Sequence, residues 1–108
     1  MIRWDDAHID ERKVVEYLLA SAHPVGGAKA TFFMSLGYRR DAWTRLRDDL
    51  MHIAKNGAVV DTGVTTYGRK MVVDGSVETP CGRIVQLRTV WISDGPDAVP
   101  RLVTAYPS

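Results

Sequence analysis

The chain has 108 residues, with 14 Lys and Arg against 13 Asp and Glu for a formal net charge of +1. That length fits one domain, residues 1–108, and the charge excludes a nucleic-acid binder that works by bulk electrostatics alone. Hydrophobic residues at 45% and charged residues at 25% exclude a disordered chain.

The single cysteine, Cys81, can make no internal disulfide, so nothing ties the fold to an oxidising compartment. The apolar runs fall far short of a membrane span, and the opening Met-Ile-Arg-Trp-Asp-Asp lacks the apolar stretch of a signal peptide. The expectation is a bacterial-type cytoplasmic protein with no membrane partner.

Residues 1–8 read as a lead-in anchored by Trp4. A first helix is expected from about Asp10 to Ala22, because Val14, Val15, Leu18, Leu19 and Ala22 recur at helical spacing and acids lie early, where the helix dipole favours them. His23-Pro24-Val25-Gly26-Gly27 breaks it. A second helix fits Ala28 to Leu36 and ends at Gly37. Asp41 is placed to cap a third, whose apolar face is Trp43, Leu46, Leu50, Ile53 and Ala54, and Asn56-Gly57 ends it.

From residue 58 the pattern becomes that of strands. Val59 to Thr66 is rich in β-branched residues, and Arg69 to Val73 is a second strand stopped by an Asp74-Gly75 turn. Another turn falls at Thr79-Pro80-Cys81-Gly82. Ile84 to Ile92 is the strongest strand, and Leu102 to Tyr106, expected to be internal or well paired, is the last. Helices followed by short strands imply an α+β fold, with N-terminal helices packed on a C-terminal antiparallel sheet of about four strands.

Residues with the spacing of a known chemistry are few. His8, His23 and His52 lie on separate elements and one cysteine builds no thiolate cage, so no metal or other cofactor is expected. Neither a glycine-rich phosphate loop nor a Gly-x-Ser-x-Gly elbow is present. Cys81 reads as an incidental turn residue rather than a nucleophile.

What remains is a set of cations and hydroxyls: His23, Lys29, Lys70, Arg83, Arg88, Thr89, Thr104 and Tyr106. They suit transesterification of RNA, in which the 2′-hydroxyl attacks its own phosphate. That reaction needs a base, an acid and cations around the phosphorane, and it needs no metal. Alternation along the strand puts Arg88 on one face with Ile84, Gln86, Val90 and Ile92, and Thr89 on the other with Val85, Leu87 and Trp91. Each candidate has a plainer role. His23 can simply end a helix, and Lys29 can be solvated, although a cation in a helix's first turn opposes the dipole. Arg88 can be a structural ion-pair partner, and Thr104 and Tyr106 can be sheet-packing residues. Trp43 and Trp91 read as core. Lys70 and Arg83, in or beside strands, are candidate RNA-binding cations.

Several segments carry a resemblance over nearly the whole chain, from about Trp4 to Pro107. They are His23-Pro24-Val25-Gly26, Lys29-Ala30, Phe32-Phe33, Leu36-Gly37, Tyr67-Gly68, Gly82-Arg83, Arg88-Thr89-Val90-Trp91 and the ending Arg101-Leu102-Val103-Thr104-Ala105-Tyr106-Pro107. Together they resemble a bacterial family of domains of unknown function. More distantly, the helix-then-sheet order and the Val-Thr-Ala-Tyr-Pro strand resemble the barnase–EndoU–colicin–RelE group of ribonuclease toxins. That resemblance implies a small metal-independent endoribonuclease, an RNA substrate, and an antitoxin or immunity protein as partner. It implies a catalytic set of His23, Lys29, Arg88, Thr104 and Tyr106. The net charge of +1 departs from the strongly basic character of many such toxins. The rival expectation is a non-enzymatic interaction module, such as an antitoxin or immunity partner that docks through its sheet.

Overall fold

The structure, a computed structural model, describes residues 4–19, 27–95 and 98–108. Its order is three helices and then four strands: α1 (Glu11–Lys13, continued by a π-helical turn over Val14–Leu18), α2 (Gly27–Ser35), α3 (Trp43–Asn56), β1 (Ala58–Thr65), β2 (Gly68–Glu78), β3 (Ile84–Ser93) and β4 (Arg101–Pro107). The strands form one antiparallel sheet in the order β1-β2-β3-β4. The expected α+β architecture is what the chain adopts.

α1 begins where Asp10 caps it, accepting the Arg12 amide at 2.8 Å. It is not the regular α-helix expected. After one turn it widens, and the Leu19 amide reaches the Val14 carbonyl at 2.8 Å. Val14, Leu18 and Leu19 are all fully buried, so the wider turn brings both leucines into the core. The remainder of the expected first helix lies outside the described residues.

α2 buries Ala30 and Phe33 and stops at Gly37, whose φ of 96° is left-handed, as the sequence implied. α3 buries Leu46, Leu50, Ile53 and Ala54 as expected. Its cap is not Asp41: Ala42 holds that position without a side-chain bond, and Asp41 pairs with Arg39 at 3.0 Å.

The sheet corrects one turn. Asp74-Gly75 does not end a strand, because β2 runs unbroken from Gly68 to Glu78 and pairs with β3 along its whole length. The β2–β3 register is symmetric about Cys81, in the second expected turn. β4 is an edge strand, but it pairs with β3 along its length apart from a bulge at Val103, and residue 8 covers the start of its free edge through His8 N to Pro100 O (2.8 Å) and Leu102 N to His8 O (3.0 Å).

All three helices lie on one face of the sheet. The core between the layers joins Val14, Leu18, Leu19, Phe33, Leu46, Leu50 and Ile53 to Met71, Val73, Leu87, Trp91 and Ala105. Trp91 is fully buried, edge-on to Trp4 with centroids 5.6 Å apart. Its indole N–H donates to Thr89 Oγ1 at 2.8 Å, and that hydroxyl donates to the Val73 carbonyl at 2.8 Å. Trp43, also expected in the core, is only partly buried and stacks against Arg47. Among the described residues no helix is long and apolar enough to cross a membrane.

Candidate functional site

Because Leu87, Thr89, Trp91 and Ala105 face the helices, alternation turns Gln86, Arg88, Thr104 and Tyr106 to the opposite, outer face. Cross-strand pairing then fixes the rows. One row runs Ala58, Asp74, Arg88, Tyr106, from β1 to β4. On one side of it lies Val72, Val90, Thr104, and on the other Ser76, Gln86.

The central row is built around Arg88. Its Nε and Nη2 donate to Asp74 Oδ1 and Oδ2, each at 2.8 Å, a bidentate fork across neighbouring strands. Arg88 is 39% exposed and Asp74 21%, so the guanidinium can still be reached from solvent. The hydrogen bond and charge of Asp74 hold the Arg88 pKa above its ordinary value, and Tyr106 acts in the same direction. In return, the Arg88 hydrogen bond holds the Asp74 carboxyl below the usual range, against the opposing effect of burial.

A second group lies at the β4 edge. Tyr17, carried by the π-helical turn, places its hydroxyl 3.5 Å from Thr104 Oγ1. Lys13 Nζ and Lys29 Nζ stand 5.0 and 5.6 Å from the centroid of its ring. Burial pushes the Tyr17 phenol up, but hydrogen bonds with Thr104 and Lys29 and the charges of Lys29 and Lys13 outweigh it, so the net shift is downward. Lys29 thus has a reason to sit in a helix's first turn. Thr104 and Tyr106 are two residues apart on the same face, roughly 7 Å, so the two groups adjoin.

Arg88 and Tyr106 therefore adjoin, Thr104 lies one pleat repeat away, and Lys29 is linked to Thr104 only through Tyr17. Lys70 also lies on the outer face, two rows from Arg88, at a pocket of about 520 Å³ floored by Val90, Ile92 and Val103. Arg83 is in the turn beyond the opposite end of the sheet, so the two expected RNA-binding cations do not share a patch. Thr89 is buried on the inner face. His23 lies outside the described residues. No group of three or more His, Cys, Asp or Glu among the described residues is placed to hold a metal ion.

Nothing in the residue pattern marked Tyr17, which sits between the apolar positions of α1. The same pattern misplaces Asp74 as a turn residue. The signal for Asp74 existed: with the β2–β3 turn centred on Cys81, Asp74 seven residues before it must meet Arg88 seven residues after.

The fold and this face define a class: an α+β protein with three helices on one side of a four-stranded antiparallel meander and a polar, cation-bearing face on the other. The chain belongs to the family Domain of unknown function (DUF6883), whose model matches residues 2–108. No curated protein matches it in sequence. A solved structure described as a contact-dependent growth inhibition toxin–immunity protein complex from Klebsiella pneumoniae 342 contains a chain of similar fold. The TM-score is 0.74 at 16% identity, over 93% of this chain and 98% of that one.

Proposed function

We propose that this chain is a metal-independent endoribonuclease, the toxin of a toxin–immunity or toxin–antitoxin pair. The observation that carries the proposal is the row of groups on the open face: Arg88 and Tyr106 beside Thr104, Tyr17 and Lys29. In this reading Arg88, still partly exposed beside Asp74, holds the scissile phosphate and the charge that builds on it through the N–H groups that Asp74 does not engage. The 2′-oxygen bonds to phosphorus and the bond to the 5′-oxygen breaks. Tyr17, its phenol favoured toward ionisation by Lys29, Lys13 and Thr104, takes the 2′-hydroxyl proton. Tyr106, next to Arg88, returns a proton to the leaving 5′-oxygen. His23, in the segment between α1 and α2, is a further proton carrier, and Lys70 and Arg83 hold RNA on either side. The fold likeness to a chain from a toxin–immunity complex supports this assignment, and an immunity protein and cytoplasmic RNA are its implied partners.

The test is RNA cleavage in the presence of chelator, with growth inhibition on expression and thermal melts recorded in parallel. Arg88→Lys should fold as wild type yet cleave at least on the order of 10²-fold more slowly, since an ammonium cannot reproduce the two-pronged contact. A folded Arg88→Ala protein with full cleavage or full toxicity would remove Arg88 from the site.

One observation favours a second reading, an immunity or antitoxin module. The Nε and Nη2 of Arg88 are already engaged by Asp74, while β1 is exposed at every position, with Val59, Val60 and Val64 and the adjoining Tyr67 open to solvent. A wild-type protein that neither cleaves RNA nor slows growth would decide for that module.

A further inference from the structure

Beyond the Arg88 row, on the side away from Thr104, a groove of about 290 Å³ opens at the free edge of β2, between Ser76 and Gln86 and the end of α3. We propose that this groove is a nucleobase pocket, which receives one base of the RNA whose phosphate lies at Arg88; the inference rests on the ribonuclease reading and supplies its source of sequence preference.

Three features carry it. The first is how the groove is made. β1 starts at Ala58, opposite Asp74, so the β2 edge at Gly75 and Ser76 has no strand partner and lines the opening. Two glycines hold α3 against that edge. A Cβ on Gly57 would fall 2.5 Å from the Asp74 carbonyl and 2.6 Å from the Ile53 carbonyl, and one on Gly75 would crowd Ile53 at 3.1 Å. The cavity therefore belongs to the backbone packing and does not depend on the rotamer of one side chain.

The second feature is its chemistry. The side chains that line it with polar atoms are His52, Asn56, Ser76 and Gln86, besides Asp74. Asp74 is already engaged by Arg88 through both carboxylate oxygens. Among the described residues no lysine or arginine lines the groove, which argues against a second phosphate. A lone, already paired carboxylate argues against a divalent cation. Two amides, a hydroxyl and an imidazole are the donor and acceptor set that reads an uncharged heterocycle. Asn56 Nδ2 is tethered to His52 at 3.1 Å to its carbonyl and 3.3 Å to Nδ1, so that pair is ordered before any ligand arrives. Ser76 and Gln86 face each other across β2 and β3, and their side chains have no hydrogen-bond partner among the described residues.

The third feature is place and size. Ser76 and Gln86 form the row next to Asp74 and Arg88, one pleat repeat or roughly 7 Å away. That is the scale on which a base stands off its own phosphate. The volume is at the small end of ligand pockets, which run from roughly 300 Å³ upward. It suits one heterocycle and not a longer segment. RNA readers take bases splayed out of the stack and bind their edges in this way.

The experiment uses the whole chain and the four nucleoside 3′-monophosphates as probes. Amide NMR signals of Gly57, Gly75, Asn56 and Gln86 are followed during titration. Cleavage of short RNAs that differ only in the bases flanking the scissile bond is measured for wild type, Gln86→Ala and Ser76→Ala. The proposal expects one nucleotide to move the groove signals more than the other three. It also expects a preference for one base that falls by on the order of 10-fold or more in Gln86→Ala, while cleavage of the other substrates persists. Arg88→Lys should lower cleavage of every substrate alike. Cleavage with no groove response and a base preference untouched by both variants overturns the pocket and leaves the ribonuclease standing. Selective nucleotide binding in the groove without cleavage overturns the ribonuclease and keeps the pocket. Silence in both assays overturns both.

Discussion

On one face of β3, Leu87, Thr89 and Trp91 are sealed completely against the helices; on the other, Gln86 is exposed and Arg88 partly so, among groups drawn from four other elements. The two faces are held by different physics. The inner one gains from apolar area removed from water, a term that depends little on which neighbour covers which residue. The outer one depends on pairs: Asp74 with Arg88, Tyr17 with Thr104, Lys29 with Tyr17. Substitutions inside should therefore cost stability, and substitutions outside should cost the proposed cleavage with little change in melting. Arg88→Lys is the outer-face half of that contrast.

The largest effect expected on stability is at Trp91. It has no exposed surface and packs edge-on against Trp4. Trp91→Ala should destabilise by about 3–5 kcal/mol, the range for emptying a large aromatic site in a core. Denaturant unfolding measures this directly. A loss below about 1 kcal/mol would mean that the inner face is not the core.

That inner face was legible in the sequence because a single strand carries its own evidence. Alternation grouped Val85, Leu87, Thr89 and Trp91 on one face without reference to any other element, and Trp91, read as core, marked that face, although Val90 and Ile92 on the other face are buried as well. α3 was legible in the same way, through the spacing of Leu46, Leu50, Ile53 and Ala54. The outer face was only half legible. Arg88 stood out because a charge in an apolar strand needs a reason, but its partner lies on another strand and depends on register. Asp74-Gly75 carries a strong local turn signal, and the long pairing of β2 with β3 overrides it. Gly75 is there because α3 passes close, and not because the chain turns. Tyr17 was hidden for a related reason. Its position follows from the π-helical turn, which no residue pattern in the first helix announces. The groove at His52 and Gln86 joins a helix end to the middle of the sheet, a juxtaposition visible only once both are placed.

An intermediate effect is expected where the inner face is polar. Thr89 Oγ1 accepts from the Trp91 indole and donates to the Val73 carbonyl, all out of contact with water. Thr89→Val keeps the shape and leaves the indole N–H without an acceptor, so it should cost about 1–3 kcal/mol. A second substitution sharpens the test. Trp91→Phe in the Thr89→Val background removes the stranded donor, so the two losses should not add. Full additivity in the double variant would mean that the indole had found another acceptor.

The smallest effect should come from Asp74, and its sign with pH distinguishes it from the others. Arg88 holds the folded-state pKa of Asp74 below the ordinary value of 3.8. A carboxyl whose pKa is depressed by folding contributes stability that is fully present above its unfolded value and is lost as pH falls through the folded value. The pair is partly exposed and screened by solvent, so the contribution is modest even where it is complete. Asp74→Asn should thus lower the melting temperature slightly near neutral pH. The gap to wild type should hold steady down to about pH 4 and close below it, as the wild-type carboxyl takes up its proton. Added salt should narrow the neutral-pH gap and raise the pH at which it has closed, because a screened pair leaves the folded pKa nearer its ordinary value. A gap that stays constant into strong acid would trace the loss to something other than ionisation of the Asp74 carboxyl. A gap that widens on acidification would mean that Asp74 is held in its protonated form, and Arg88 would then be free to take a phosphate without first giving up a partner.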